Sequence, residues 1–369
     1  MAASNGPLRG EYTFLPQERV IFGVGSLSQL PEEIARIGAV RALIVTGATL
    51  ASETDVIVSV SQALGSLHAG TFAGVRQHTP GSGVAQAIEA ARALDADVLI
   101  SVGGGSPIDA AKAVAMELAR ERGVFPPQIA LPTTLSAAEF SHSAGVTDEQ
   151  RRAKAGFADP HVAPRIVILD AGLTLATPMQ LWLSSGIRAL DHAIETLYAP
   201  NAHPINDVLA IEAIRRLFAG LPRTMQRPDD LDVRTDLQLG AWMSFFGQIN
   251  TTMGLSHNLG RRMGATYGVP HGITSCITLP HVMRHFARRH TAALAVAGRT
   301  IQAAEAGADD LDAALFAADA VADLIARLGL PRHLSEVGVA EGNLRDIALA
   351  TVGDGPQALE VEDLLRKML

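Results

Sequence analysis

Three consecutive glycines, Gly103 to Gly105, restrict how this chain can fold more than any other feature of its sequence. They directly follow the apolar stretch Val98–Val102, and three residues later the alanine-rich segment DAAKAVAMELARE begins, with helical spacing. A buried strand that turns tightly into a helix is typical of parallel α/β sheets. Glycines let a ligand approach the backbone closely, and the free N–H groups at a helix start favour a phosphate. This turn therefore predicts a site for a nucleotide phosphate.

Three further short apolar runs predict strands of the same sheet, at residues 40–46 (VRALIVT), 128–131 (QIAL) and 165–169 (RIVIL). After about Pro178 the strand patterns stop, and residues 181–369 are rich in Ala and Leu at the 3.6-residue spacing of helices. At 369 residues the chain is also long enough for two domains. We predict an α/β dinucleotide-binding domain over residues 1–178 and an all-helical substrate and catalytic domain over residues 179–369.

The overall composition excludes several classes of partner. The formal net charge is −8, so no basic surface for nucleic acid is expected. Cys276 is the only cysteine in the sequence, which rules out an internal disulfide and a cysteine-based zinc knuckle. No signal-peptide pattern and no apolar stretch long enough to cross a membrane is present in the sequence. We therefore expect a soluble cytoplasmic enzyme that binds neither nucleic acid nor a membrane.

Residues at three strand ends are the candidates for cofactor binding, because ligands of open parallel sheets lie beyond the carboxyl ends of the strands. Ser106 is predicted to cap the helix after the glycines and to donate to a phosphate oxygen. No acidic residue stands at Gly47 to repel a 2′-phosphate, so we expect either NADH or NADPH. The predicted cofactor-binding residues are Gly47, Thr49, Gly103, Gly104, Gly105, Ser106, Asp109, Thr133 and Thr134.

Five motifs in order give the chain its family resemblance: GGGSPIDAAK, LPTT, VTDEQRRAK, GIRALDHAIE and LSHNLGRRMGATYGVPHG. The chain resembles the iron-containing alcohol dehydrogenase superfamily, whose fold is shared with dehydroquinate synthase. The resemblance runs from about residue 19 to about residue 282. It implies the same two domains, a homodimer, and Lys154 as a further cofactor contact.

The histidines of the helical half match the metal site of that family, with one exchange. Metal-dependent members bind the ion through one Asp and three His, and the histidine positions correspond to His192, His257 and His271. The Asp position is occupied by Arg188, and Arg261 stands four residues after His257. Because arginine stays charged at any working pH, we predict a site without metal. If a metal is bound, the three histidines would hold zinc or iron.

The resemblance is closer to the maleylacetate reductase branch, whose members work without metal. It implies hydride transfer from NADH or NADPH to an oxo-dicarboxylate, maleylacetate, giving 3-oxoadipate in the degradation of aromatic compounds. In that hypothesis Arg188 and Arg261 bind carboxylate or enolate oxygen, and one of the three histidines provides a proton. The branch commonly has Asn where Arg188 stands and His where Arg261 stands, so this chain departs from the branch at both positions.

Three alternatives stay open from the sequence. The first is a zinc- or iron-dependent alcohol or aldehyde dehydrogenase, which metal analysis would distinguish. The second is a lyase resembling dehydroquinate synthase, although few lysines surround Arg188 and Arg261. The third is a silent family member that binds nucleotide without turning it over, which any cofactor turnover would exclude.

Overall fold

Six parallel strands form the main sheet of the structure, a computed structural model that describes residues 10–150, 153–303 and 307–369. The order across this sheet is β1-β8-β5-β4-β2-β3, and β6 and β7 form a separate antiparallel pair. The strands are Arg19–Phe22 (β1), Ala42–Val45 (β2), His68–Phe72 (β3), Val98–Gly103 (β4), Gln128–Pro132 (β5), Ser143–Asp148 (β6), Ala153–Ala158 (β7) and Ile166–Leu169 (β8).

Five helices cover both faces of this sheet. They are Leu30–Arg36 (α1), Ala48–Ser52 (α2), Val56–Leu64 (α3), Gly81–Ala93 (α4) and Gly105–Arg122 (α5). Ile44 and Ile100 share one apolar core with α1 and α3, whereas Leu43 and Leu99 share another with α4 and α5. Alternate residues of a strand point to opposite faces, so strands covered on both faces read as continuous apolar runs. The four predicted strands correspond to β2, β4, β5 and β8.

The described residues after Pro178 form helices and no strand, which confirms the predicted fold class. The helices are Met179–Leu197 (α6), Pro204–Gln226 (α7), Leu231–Phe245 (α8), Leu255–Tyr267 (α9), His271–Phe286 (α10), Thr291–Thr300 (α11), Asp310–Arg327 (α12), Leu344–Val352 (α13) and Pro356–Arg366 (α14). Helices α9, α10, α13 and α14 enclose an apolar core that includes Met263, Ile277 and Leu365. Within the described residues, no helix is both long enough and apolar enough to cross a membrane.

The chain divides into two units whose limits differ from the predicted ranges in two segments. The nucleotide unit comprises Phe14–Pro178 and also Pro228–Gln238, and the helical unit comprises the remainder, including the N-terminal segment that ends at Thr13. Buried Arg234 attaches the inserted segment, because its Nη1 donates to the Thr174 carbonyl at 3.0 Å. The Thr13 N–H donates to Asn250 Oδ1 at 2.8 Å within the helical unit.

Candidate active site

The glycine turn lies at the carboxyl end of β4, between the ends of β2 and β5. Gly103 has a φ of +136°, which favours glycine, and its carbonyl accepts from the Thr133 N–H at 2.9 Å. Gly104 is the N-cap of α5, and a Cβ there would lie 3.2 Å from Thr134 Cγ2. The two predicted turns are therefore packed against each other with backbone N–H groups at the start of an 18-residue helix. These residues fit a dinucleotide pyrophosphate.

The predicted capping role of Ser106 is wrong. Helix α5 begins at Gly105, so the N-cap is Gly104 and Ser106 lies inside the first turn, where no side chain caps the helix. The Ser106 carbonyl instead accepts from Thr79 Oγ1 at 3.4 Å. Asp109 is one turn further on, and its Oδ2 accepts from the Gly145 N–H at 3.5 Å, which connects α5 to β6.

The other predicted cofactor residues lie at two different places in the nucleotide unit. Gly47 directly precedes α2, and a Cβ there would lie 3.2 Å from the Val75 carbonyl oxygen. Thr49 is exposed on α2. Lys154 pairs with Thr147 in the β6–β7 ladder, and its side chain lies outside the part that the structure describes.

Helices α6, α9 and α10 of the helical unit bring together the histidines that the sequence singled out. His192 lies on α6, is 3% exposed, and stacks on Phe245 with ring centroids 4.1 Å apart. The His257 ring on α9 lies 5.5 Å from the His192 ring, and His271 is the first residue of α10. The cluster therefore has a buried end at His192 and a partly exposed end at His257 and His271.

Arg188 lies inside this cluster with its guanidinium bound to protein groups. Its Nη2 donates to His257 Nδ1 at 2.6 Å, and its Nη1 donates to Ser275 Oγ at 3.0 Å. Asp191 Oδ2 lies 3.5 Å from Nη1. The site therefore does contain a carboxylate that faces a guanidinium, because Asp191 lies three residues after Arg188 on α6. Arg261 is exposed and forms no hydrogen bond or ion pair with any described residue.

Two buried carboxylates of α6 belong to the cluster although neither is among the predicted site residues. Asp191 Oδ2 accepts from Ser256 Oγ at 2.8 Å and from Ser275 Oγ at 2.6 Å. Glu195 accepts from the Gly254 and Ser256 N–H groups, each at 2.8 Å, and so caps the start of α9. A signal was present, because positions 188, 191, 192 and 195 lie on one face of an otherwise apolar helix.

Burial changes the ionisation of nearly every member of the cluster. It lowers the pKa of His192 well below its ordinary value, and the charge of Arg188 lowers it further. Burial and then Arg188 have the same effect on the pKa of His257. Burial raises the pKa of Asp191, and burial with the nearby charge of Asp191 raises the pKa of Glu195 to about 8. His192 and His257 are therefore neutral imidazoles at neutral pH.

These residues do not fit the metal ion that the resemblance implies for other members of the family. His257 Nδ1 is occupied by the Arg188 guanidinium, a fixed positive charge beside the histidines. Among the described residues, no group of three or more His, Cys, Asp or Glu side chains is arranged to hold a metal ion. We therefore derive no step of a reaction through a metal.

The chain belongs to the iron-containing alcohol dehydrogenase family. The family model "Iron-containing alcohol dehydrogenase" matches residues 16–171, and "Fe-containing alcohol dehydrogenase family, C-terminal" matches residues 182–365. The protein is accordingly an NAD(P)-dependent oxidoreductase. These matches confirm the resemblance and the fold class predicted from the sequence.

Several maleylacetate reductases are similar to this chain over nearly their whole length. Maleylacetate reductase 1 of Cupriavidus pinatubonensis is 33% identical, over 94% of this chain and 92% of its own. The Rhizobium sp. enzyme is also 33% identical, over 92% and 90%. The crystal structure of maleylacetate reductase from Agrobacterium tumefaciens is 30% identical with a TM-score of 0.83, covering 98% of this chain and 99% of that chain. These relatives support the maleylacetate reductase-like branch that the sequence predicted.

Proposed function

We propose that this protein is an NAD(P)H-dependent reductase of maleylacetate, an oxo-dicarboxylate, and produces 3-oxoadipate in the degradation of aromatic compounds. The observation that carries the proposal is the match to maleylacetate reductases over more than nine-tenths of the chain. A metal-dependent reductase of simple aldehydes is the competing activity within the same family.

The proposed reaction proceeds without a metal ion. In members that use one, the metal polarises a carbonyl or alkoxide oxygen. Here the cations near the histidines are the guanidinium groups of Arg188 and Arg261, and the charge of Arg261 acts on both Arg188 and His257. Cationic and N–H donors placed where negative charge develops can stabilise an enolate without a metal.

NAD(P)H supplies the hydride when it is bound. The hydride forms a C–H bond at the alkene carbon distant from the ketone, and the alkene electrons move to the ketone oxygen to give an enolate. The carbon beside the ketone then takes up one proton, which completes the oxo-dicarboxylate product. Exposed Arg261 is free to bind a substrate carboxylate through its planar fork. His271 is our candidate for the proton donor, because the lowered pKa values of His192 and His257 keep both imidazoles in their neutral form, which is a poor acid.

We propose that the pyrophosphate of the cofactor binds at the glycine turn and at the Thr133–Thr134 turn. Gly47, Thr49, Asp109 and Lys154 complete the proposed set. The residues of this set at the end of β2, Gly47 and Thr49, are uncharged, so no carboxylate there would repel the 2′-phosphate of NADPH. We therefore propose both NADH and NADPH as hydride donors. We also propose a homodimer, on the basis of the family resemblance, which light scattering of the purified protein would test.

The test is oxidation of NADH or NADPH by the purified enzyme with maleylacetate, with formation of 3-oxoadipate followed by mass spectrometry. Enzyme treated with EDTA is compared with untreated enzyme and with enzyme supplied with zinc or iron. The bound metal is measured in each preparation.

Turnover that survives the chelator, with unchanged rate after metal addition, supports the metal-free reductase. A simple aldehyde such as propanal serves as the control substrate. Reduction of propanal that requires added metal, together with no turnover of maleylacetate, would overturn both the substrate and the metal-free chemistry.

A further inference from the structure

In the hydrogen bond between Arg188 and His257, only the arginine can be the donor. Arginine has N–H donors and no acceptor, so in the 2.6 Å contact between Arg188 Nη2 and His257 Nδ1 the imidazole nitrogen must accept. A neutral imidazole that accepts at Nδ1 carries its proton on Nε2. We propose that Arg188 is a positioning residue that holds His257 as the Nε2–H tautomer, and that this N–H donates to the ketone oxygen of the substrate. The second part of this proposal rests on the proposed function.

The guanidinium of Arg188 cannot easily turn away from His257. The Arg188 side chain is 7% exposed, and Nη1 is held by Ser275 Oγ at 3.0 Å. Asp191, which is fully buried, accepts from Ser275 Oγ and from Ser256 Oγ, so one carboxylate connects α6 to both α9 and α10. A hydrogen-bond network of this kind fixes the orientation of the group that it surrounds.

The imidazole itself is also held in place. His257 lies in the first turn of α9, and Glu195 fixes that turn by accepting from the Gly254 and Ser256 N–H groups. The His192 ring lies beside it with centroids 5.5 Å apart. Within the part of the chain that the structure describes, His257 Nε2 has no hydrogen-bond partner. The Nε2–H group therefore remains available to a ligand.

This arrangement supplies what the proposed reaction needs at the ketone oxygen. As hydride adds to the alkene, negative charge develops on that oxygen, and a hydrogen bond from Nε2–H stabilises it. The guanidinium on the opposite side of the ring repels a second proton, so His257 acts as a hydrogen-bond donor and keeps its proton throughout. The proton that reaches carbon comes from another group.

The tautomer can be measured directly by 15N NMR of the full chain labelled at its histidines, with the His257→Asn variant to assign the signals. In the wild type we expect a protonated Nε2 and an unprotonated Nδ1. The Arg188→Met variant should show exchange between both tautomers, and Arg188→Lys, which keeps a cationic donor, should restore the wild-type pattern at least in part. Arg262→Met is the matched control, because Arg262 is an exposed arginine on the same helix as His257. This variant should leave the His257 signals unchanged.

A protonated Nδ1 in the wild-type protein would overturn the proposal without any variant being needed. So would an Arg188→Met protein in which His257 keeps the Nε2–H form unmixed. In the kinetic measurement with maleylacetate, Arg188→Met should lower kcat by about tenfold or more, with a much smaller change in KM, since the lost hydrogen bond forms chiefly in the transition state.

The two levels of the proposal fail in different ways. If the wild type shows the Nε2–H tautomer and maleylacetate is not turned over, the proposed function fails and so does the assigned hydrogen bond to its ketone, whereas the positioning role of Arg188 stands. If maleylacetate is turned over and the tautomer is Nδ1–H, the proposed function stands and the role of Arg188 is refuted.

Discussion

At the residue scale, we expect Arg188 to decide whether the histidine cluster can bind a metal ion. Replacing it by Asp removes the buried cation beside His257 and puts a carboxylate next to three imidazoles. We expect Arg188→Asp to bind on the order of one zinc ion per chain, because carboxylate and imidazole ligands suit zinc. Metal analysis after dialysis against zinc measures the uptake, and a zinc-dependent rise in the unfolding temperature would show that the folded state binds it.

The Arg188→Met variant is the control for this exchange, since it removes the same charge without adding a ligand. It should take up no more zinc than the wild type. Equal zinc uptake by the Asp and Met variants would mean that the three histidines bind metal by themselves once the guanidinium is removed, and the predicted need for a carboxylate at position 188 would then be wrong.

Arg261 is the residue for which we predict an effect on substrate binding. It is exposed and forms no hydrogen bond or ion pair with the described part of the protein, so its guanidinium can bind a carboxylate. A charge-assisted hydrogen bond contributes about 1.5–3 kcal/mol, so Arg261→Met should lower kcat/KM for maleylacetate by about 10- to 100-fold. Steady-state kinetics measures this, and the KM for NADH should stay unchanged.

The neighbouring residue Arg262 provides the comparison for Arg261. Arg262 is also exposed but lies about 100° further round α9. Arg262→Met should keep wild-type kinetics. If both variants lose activity equally, the effect reflects the overall positive charge of this surface and Arg261 has no specific role.

The members of the site could be predicted at the residue scale, but their contacts could not. The motif resemblance identified Arg188, His192 and His257 from sequence alone. Whether the Arg188 guanidinium faces substrate or protein depends on how α6, α9 and α10 pack, because Ser275 is 87 positions away in the chain. No local pattern encodes that packing. The pairing of Arg188 with Asp191 differs, because its i,i+3 spacing on α6 is a local signal that the sequence does contain.

At the scale of elements, the turn between β4 and α5 should control cofactor affinity. An added methyl group at Gly104 would lie 3.2 Å from Thr134 and would separate the two turns proposed to hold the pyrophosphate. We expect Gly104→Ala to weaken NADH binding by about tenfold, equivalent to about 1.4 kcal/mol. Fluorescence titration of the purified protein with NADH measures the Kd.

A variant at Gly123, the residue at the other end of α5, is the control that distinguishes a loss of stability from a loss of cofactor binding. It has a φ of +73°, so Gly123→Ala should destabilise the protein by about 1 kcal/mol while the Kd for NADH stays the same. Gly104→Ala with wild-type affinity would contradict the assigned phosphate site.

The sequence predicted the central elements of the sheet better than its edges. The strands β2, β4, β5 and β8 are covered on both faces, and their continuous apolar runs were recognisable. The edge strands β1 and β3 are partly exposed, and the β6–β7 pair contains Gly and polar residues. Only β1 has an apolar run, and that run is three residues long. Edge strands receive less of their stability from burial, and this is why a burial pattern does not reveal them.

For the whole molecule, the free energy of unfolding should depend on pH, because burial lowers the pKa of some groups and raises the pKa of others. The lowered pKa values of His192 and His257 make folding less favourable in acid, so this contribution improves as pH rises to the ordinary pKa of histidine. The raised pKa values of Glu139 and Glu195, about 7 and about 8, make stability fall as pH rises from the ordinary pKa of glutamate through those values. Above about pH 6.5, where the histidines no longer contribute, stability should therefore decline toward pH 8.

Glu139 provides a direct measurement of that decline. It is 2% exposed, its Oε2 has no hydrogen-bond partner among the described residues, and burial raises its pKa to about 7 against the opposing effects of its own N–H and of Lys112. Glu139→Gln removes the cost of ionising a buried carboxyl group, so the variant should be more stable than the wild type above pH 7, by at most about 3 kcal/mol. The difference should shrink toward the ordinary pKa of glutamate, where neither side chain is charged.

Urea unfolding of both proteins across this pH range measures the difference in stability, with exposed Glu53→Gln as the control that should show no such trend. If the stability curves of the wild type and Glu139→Gln run parallel with pH, the Glu139 carboxyl group has the same pKa in the folded and unfolded protein, and the predicted contribution of Glu139 is wrong.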